Sequence, residues 1–145
     1  MVVIFLVSYS DDQKRQIIMD HYLNPRFKND QLVIDETRMV YQHSSACVDE
    51  IWLDYQDQSF TYQAKGCAIF ISACDIFIER LMEIGIDQKD QLIQLFRHLV
   101  NQDQELNDQE KNLLAKLNIY ENVKRHLNRV ECALLITRVM EKIQI

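Results

Sequence analysis

The sequence predicts an α+β fold in which helices pack against one three-stranded antiparallel sheet. The chain has 145 residues, of which 48% are apolar, with only two glycines and one proline. That composition is typical of a helix-rich globular domain rather than of a sandwich or a disordered chain. Residues 32–64 differ from the rest, because their apolar residues occur in short β-rich runs. At this length one core is sufficient, so we expect a single domain over residues 1–145.

The first predicted helix begins after Ser10. Ser10 and Gln13 have the spacing of a capping box, in which each side chain bonds the other residue's backbone N–H. Asn24 and Pro25 end this helix, since the residue before a proline disfavours helical backbone.

The predicted strands follow this helix. Their β-rich runs cover residues 32–34, 39–41, 51–55 and 60–64. Apolar and polar residues alternate in the last two runs, as in strands with one buried face. The polar residues 56–59 between them indicate a hairpin. The predicted order is one helix, three antiparallel strands and then four helices.

Four helices complete the predicted fold. After Cys67, apolar residues at spacings of three and four indicate a buried helix that ends near Gly85. Residues 87–118 contain two more helices, and Asn107 with Glu110 forms a second capping box at the start of the latter. The apolar positions of the last amphipathic helix are Leu127, Val130, Leu134 and Met140.

The charge and the ends of the chain limit the possible partners. The net charge is -6 and no dense Lys/Arg cluster is present, which argues against nucleic acid. The apolar residues 2–7 lack the features of an export signal and are too short to span a bilayer. We expect them to form a strand or an apolar extension packed on the core or on another copy. We therefore expect no membrane partner and reduced cysteines in the cytoplasm.

Three cysteines and one aspartate form a candidate metal site. Cys47 and Asp49 are two residues apart, so in an extended strand both side chains would point to one side. Cys67 precedes a helix, whose N-terminus favours the thiolate form. Cys132 lies early in the last helix. Three thiolates and one carboxylate suit tetrahedral zinc.

Spacing alone favours core cysteines over a metal site. No C-x-x-C pair is present, and free cysteines are often buried. Cys74 is about 10.5 Å along the helix from Cys67, too far to share an ion, and we expect it in the core. His21 and His126 are weaker ligand candidates, and a surface or partly buried histidine is the simpler interpretation of each. No nucleotide, hydrolase or metalloprotease motif is present.

Four stretches of the chain together resemble a known family. Residues 16–26, with their Asn-Pro-Arg ending, are similar to an opening helix and turn. Cys47-Val48-Asp49 is similar to a C-G-D word, Gly66-Cys67 to a G-C word before a long helix, and 129–132 to a last-cysteine word. These are the words of the NifU/IscU-like iron-sulfur cluster assembly proteins, and the resemblance covers nearly the whole chain.

Two features resemble the SufU branch of that family. Residues 87–118 form a helical insert between the second and third cysteines. Glu131 stands directly before Cys132, where IscU-type scaffolds carry histidine. The resemblance implies a zinc-dependent sulfur acceptor. The zinc ligands it implies are Cys47, Asp49, Cys67 and Cys132.

The resemblance also implies partners and roles. Cys47 would accept sulfur from a SufS-like cysteine desulfurase, and Arg129 would engage that enzyme. Downstream iron-sulfur assembly proteins would then take the sulfur. The protein would thus be a sulfurtransferase-like persulfide acceptor rather than a stand-alone enzyme.

Two alternatives remain open from the sequence. The same ligands could hold iron or a [2Fe-2S] cluster, as in a scaffold protein. A divergent protein with a purely structural zinc site is the other alternative. It is suggested by Val48, which replaces the family's glycine and cannot easily adopt a positive φ, so that the Cys47 loop could be stiffer.

Overall fold

The computed structural model describes residues 8–125 and 127–145, and it confirms the predicted α+β class. Residues 2–7 and His126, each the subject of an expectation above, lie outside the described residues. The helices and strands are α1 (Asp11–Leu23), β1 (Val40–His43), β2 (Glu50–Gln56), β3 (Ser59–Lys65), α2 (Ala68–Ile84), α3 (Lys89–Asn101), α4 (Asp108–Leu114) and α5 (Leu127–Lys142). Short 3-10 helices cover Ile86–Gln88, Ala115–Tyr120 and Val123–Arg125.

The sheet is antiparallel with the strand order β1-β2-β3. Asp57 and Gln58 connect β2 to β3 with φ values of 54° and 63°. Positive φ at both central residues is the geometry of a tight hairpin turn that matches the twist of the strands. The predicted hairpin is therefore confirmed. Of the four β-rich runs, residues 32–34 lie in a loop rather than in the described sheet.

The core lies between one face of the sheet and the helices. Ile51 and Leu53 of β2 and alternate residues of β3 are buried on one face of the sheet. The other face carries polar and aromatic side chains, of which Asp54 is also buried. Helix α2 is buried along most of its length and packs against α1 and α5. None of the described helices combines the length and the apolar character needed to cross a membrane.

The first helix is fixed to α2 by a buried carboxylate. Asp75 Oδ2 lies 2.7 Å from His21 Nδ1, and both side chains are almost fully buried. Asp75 Oδ1 accepts hydrogen bonds from the backbone N–H groups of Arg26 and Phe27 and from the Tyr62 hydroxyl. The turn after α1, the third strand and the central helix therefore meet at one side chain.

His21 has a partner on each side of its ring. Its Nε2 lies 3.3 Å from Lys116 Nζ, which also donates to Glu79 at 2.8 Å. A neutral imidazole that donates from Nδ1 to Asp75 and accepts at Nε2 from the ammonium satisfies both contacts. The simpler expectation, a surface or partly buried histidine, is wrong, because His21 is completely buried in this network.

We predict that Asp75→Asn lowers the free energy of unfolding by about 3 kcal/mol, since an amide cannot accept from all of these donors. Urea denaturation measures the change. Asp30→Asn is the control, because Asp30 is exposed and, among the described residues, forms an ion pair only with Lys28. Its loss should therefore cost less than about 0.5 kcal/mol. Equal losses in the two variants would contradict the central role of Asp75.

Candidate metal centre

Residues 44–49 form the loop that connects β1 to β2. The Ser44 N–H donates to the Asp49 carbonyl at 2.9 Å and closes the loop. Ser44 Oγ accepts from the N–H groups of Ala46 and Cys47, at 3.1 and 3.3 Å. The prediction that Cys47 and Asp49 lie in an extended strand is wrong, because the chain must turn here between two paired strands. Cys47 is exposed on this loop.

Val48 follows Cys47 and is 86% exposed. Among the described residues, the non-glycine positions with positive φ are Asp57, Gln58, Gln102 and Ala115. Val48 therefore closes the loop without the left-handed backbone that a β-branched residue resists. Valine in place of the glycine of the C-G-D word therefore introduces no positive-φ strain into the loop backbone.

The carboxylate of Asp49 points inward against Gly66. Asp49 is 1% exposed, and its Oδ1 accepts from the Cys67 N–H at 3.0 Å. A Cβ atom at residue 66 would lie 2.2 Å from Asp49 Oδ1 and 2.6 Å from the Phe70 ring. Only glycine at this position leaves room for the carboxylate at the start of α2.

Cys67 is the N-cap residue of α2, as the sequence predicted. Its Sγ accepts from the Phe70 N–H at 3.5 Å and lies 3.9 Å from Asp49 Oδ2.

Cys132 enters the site from α5 and is buried. Its Sγ lies 3.7 Å from Cys47 Sγ, although the two residues are far apart in the chain. Burial raises the pKa of the Cys132 thiol, and the neighbouring Asp49 and Cys67 raise it further. A bound cation would act in the opposite direction and favour the thiolate.

The donor atoms fit a zinc ion. One ligand atom from each of Cys47, Asp49 and Cys132 lies within 4.8 Å of the other two. Two sulfurs on one tetrahedral zinc, each at about 2.3 Å, lie about 3.8 Å apart, close to the 3.7 Å found here. Cys67 is outside this group of three but adjoins it through Asp49.

The other sequence candidates lie elsewhere. Arg129 is exposed on α5, less than one turn before Cys132, and has no ion-pair partner among residues 8–125 and 127–145. Cys74 is buried in the core as predicted, and burial raises the pKa of its thiol.

The chain is similar to a curated relative over most of its length. It is 26% identical over 137 residues to the zinc-dependent sulfurtransferase SufU of Bacillus subtilis (strain 168), which covers 91% of this chain and 89% of the relative. No family model matches the chain.

Solved structures share the fold. A putative iron-sulfur cluster assembly scaffold protein for the SUF system, from Fervidobacterium islandicum AW-1, has a TM-score of 0.72 at 20% identity and covers 93% of this chain and 95% of its own. The N-terminal part of a nitrogen-fixing NifU-like protein from Brucella abortus has a TM-score of 0.65 at 16% identity, with coverages of 92% and 99%. A hypothetical protein reaches 0.76 at 17% identity, with coverages of 92% and 97%.

The chain is therefore similar in sequence to a SufU protein and shares the fold of SufU-like and NifU-like proteins. Its three cysteines and the aspartate thus occur in the fold in which the sequence resemblance placed them.

One contact of this SufU/NifU/IscU-like chain could not be expected from the sequence. Glu131 Oε1 accepts from the Ser45 N–H at 3.3 Å and from the Ser45 hydroxyl at 3.2 Å. Arg138 Nη1 donates to the same oxygen at 3.2 Å. Partial burial acts to raise the pKa of Glu131, but the hydrogen bonds from Ser45 and the charge of Arg138 hold it below its ordinary value. Glu131 therefore ties the Cys47 loop to α5.

We predict that Gly66→Ala weakens zinc binding at least about tenfold, because the new methyl group displaces Asp49 from the site. Competition with a chromophoric chelator measures the affinity. Gly85→Ala is the matched control, since Gly85 also has positive φ, but its Cβ would meet only the flexible Asp87 side chain at the far end of α2. Equal zinc loss in both variants would attribute the effect to general strain instead.

We also predict that Glu131→Ala raises the alkylation rate of Cys47 by iodoacetamide about fivefold in the metal-free protein, since the loop loses hydrogen bonds worth about 1 kcal/mol. Mass spectrometry of the Cys47 peptide gives the rate. Glu131→Gln keeps an oxygen that can accept from Ser45 and should react more slowly than the alanine variant. An unchanged rate in Glu131→Ala would show that this contact does not restrain the loop.

Proposed function

We propose that this protein accepts sulfur from a cysteine desulfurase for iron-sulfur cluster assembly, with Cys47 as the acceptor. The supporting observation is the 3.7 Å separation of the Cys47 and Cys132 sulfurs beside a buried carboxylate. The relative in Bacillus subtilis is a zinc-dependent sulfurtransferase, and the donor atoms of this chain fit zinc. The proposed zinc ligands are Cys47, Asp49, Cys67 and Cys132.

The four proposed ligands differ in how firmly the fold holds them. Asp49 is wedged against Gly66, Cys67 caps a helix, and Cys132 is buried on α5. Cys47 is the exposed member, on a loop. When bound, zinc would supply positive charge that keeps the cysteine sulfurs deprotonated and shielded. Cys47 is therefore the ligand that a partner can reach.

The proposed reaction is a thiol exchange at Cys47. Its thiolate attacks the terminal sulfur of the donor's cysteine persulfide, R–S–SH. A new S–S bond forms at Cys47 and the donor's S–S bond breaks. The electron pair of the broken bond leaves with the donor sulfur as R–S⁻, and Cys47 becomes Cys47–S–SH. One sulfane sulfur moves, and no outside oxidant or reductant is required.

The surroundings of Cys47 suit this exchange. The loop N–H groups that bond Ser44 Oγ hold Cys47 outward, and Glu131 fixes the neighbouring Ser45. Arg129 is exposed on the adjacent helix, where it could meet an approaching desulfurase. The acceptor must be a free thiol, and free cysteines persist in a reducing compartment, so we place the reaction in the cytoplasm.

A scaffold that assembles a [2Fe-2S] cluster is the second candidate. It is favoured by the neighbour from Fervidobacterium islandicum, described as a putative scaffold protein. Thiolates also hold iron-sulfur clusters. The two functions differ in the bound metal and in the need for a sulfur-accepting cysteine.

We predict that protein purified without added metal contains about one zinc per chain, the occupancy of a single closed ligand set. Cys47→Ala should abolish its acceleration of a SufS-type desulfurase, because the attacking thiolate is lost. Cys74→Ala is the control, since Cys74 is buried in the core, and it should accelerate the desulfurase like the wild type. Elemental analysis and sulfide release from cysteine are the measurements.

The results separate the candidates. Iron with visible cluster absorption, in place of zinc, would favour the scaffold. Zinc with undiminished acceleration by Cys47→Ala would move the acceptor role away from Cys47. Zinc without any acceleration by the wild type would leave only a structural site.

A further inference from the structure

A groove of about 500 Å³ opens beside the candidate metal centre. It lies between α1, the start of α2, residues 119–125 and the start of α5. Aliphatic side chains form its floor: Ile18, Ala68, Ile69, Ile119 and Val123. Four basic side chains and one acidic side chain also line the groove: Lys14, Arg15, Arg125, Arg129 and Asp11.

The groove lies close in sequence to two of the proposed zinc ligands, Cys67 and Cys132. Ala68 and Ile69 directly follow Cys67, and Arg129 is three residues before Cys132. A molecule seated in the groove would therefore contact the two helices that carry these cysteines. The groove is a different surface from the Cys47 loop, which lies between β1 and β2.

The charges of the groove oppose the charge of the whole chain. Arg125 and Arg129 are exposed and have no ion-pair partner in the described part of the chain. Lys14 and Arg15 are less available, because Lys14 pairs with Glu121 at 2.9 Å and Arg15 with Asp12 at 3.6 Å. The net charge of the chain is -6, so two unpaired arginines on an apolar floor mark a local site for an acidic surface.

We propose that this groove docks an acidic amphipathic segment of the sulfur-donor protein. Carboxylates of the segment would meet Arg125 and Arg129, and its aliphatic side chains would cover the floor around Ile18 and Ile69. The proposal rests on the proposed function. A small anion would leave the apolar floor uncovered, and a nucleic acid would be repelled by the acidic remainder of the chain. A protein segment with both acidic and aliphatic side chains matches the arginines and the apolar floor of the groove.

The test compares two charge reversals on adjacent residues. Arg125 lines the groove, whereas Lys124 is equally exposed but does not line it. We expect Arg125→Glu to raise the Kd for a purified SufS-type cysteine desulfurase about tenfold. Lys124→Glu should change it less than about twofold, because the same charge change lies off the groove. Both variants should keep the zinc content of the wild type, since neither residue is a proposed ligand.

A second variant tests the apolar floor. Val123→Ser removes part of the floor without a charge change, and it should also raise the Kd, by about threefold. Calorimetric titrations at about 50 and 300 mM salt should show that the advantage of the wild type over Arg125→Glu shrinks as salt screens the charges. The effect of Val123→Ser should persist at the higher salt.

Each outcome decides between clear alternatives. If the wild type binds the desulfurase and Cys47 accepts sulfur, but Arg125→Glu binds as tightly, the groove proposal is wrong and the proposed function stands. If the wild type does not bind the desulfurase at all, both fail. Self-association of the wild type that Arg125→Glu abolishes would assign the groove to a second copy of the chain and overturn the docking of the donor.

Discussion

The buried carboxylate of Asp75 fixes the first part of the chain to the rest of the fold. It lies on α2 and accepts hydrogen bonds from α1, from the turn after it and from β3. A charge buried without such partners would cost several kcal/mol, so separation of these segments has a high free-energy cost. The same turn continues onto the sheet, where the Tyr62 N–H donates to the Phe27 carbonyl and the Asn29 N–H donates to the Tyr62 carbonyl. The position of α2 relative to β3 is thereby set.

That position determines the geometry of the candidate metal centre. Gly66 and Cys67 connect β3 to α2, and Glu50 pairs with Lys65 across the hairpin. Asp49, one residue before Glu50, therefore lies against Gly66. A slip of one residue in this register would turn the Asp49 side chain to the opposite face. The pairing of two strands thus places a carboxylate at the start of a helix, and α5 adds Cys132 from the other side.

Local signals in the sequence predicted the elements. Of the long-range contacts, only the convergence of the three cysteines and the aspartate was expected, from the family resemblance. The capping boxes at Ser10 and Asn107 are confirmed, because each involves residues only three apart. The pairing of His21 with Asp75 joins residues 54 apart. The spacing of apolar residues along the chain gives no indication of such a contact. The strand predicted for Cys47 was wrong because side-chain alternation does not hold where a chain turns. Cys47 and Asp49 still approach each other, since the closed loop brings their side chains together.

The candidate metal centre depends on the core for its geometry, whereas the core does not depend on the metal centre. Buried aromatic and aliphatic side chains from the sheet, α2, α3 and α5 form the core of the described residues. Of the proposed ligands, Cys132 belongs to this core and Cys67 packs against it. A core of this kind supplies the main free energy of folding by removing apolar surface from water. The chain therefore does not need metal to hold Asp49, Cys67 and Cys132 near one another. Cys47 differs, because it is exposed on a loop that hydrogen bonds hold rather than buried apolar contacts. Segments with few buried contacts open at low free-energy cost. A fixed inner set of donors with one loosely held outer sulfur allows that sulfur to leave and return while the other donors remain in place.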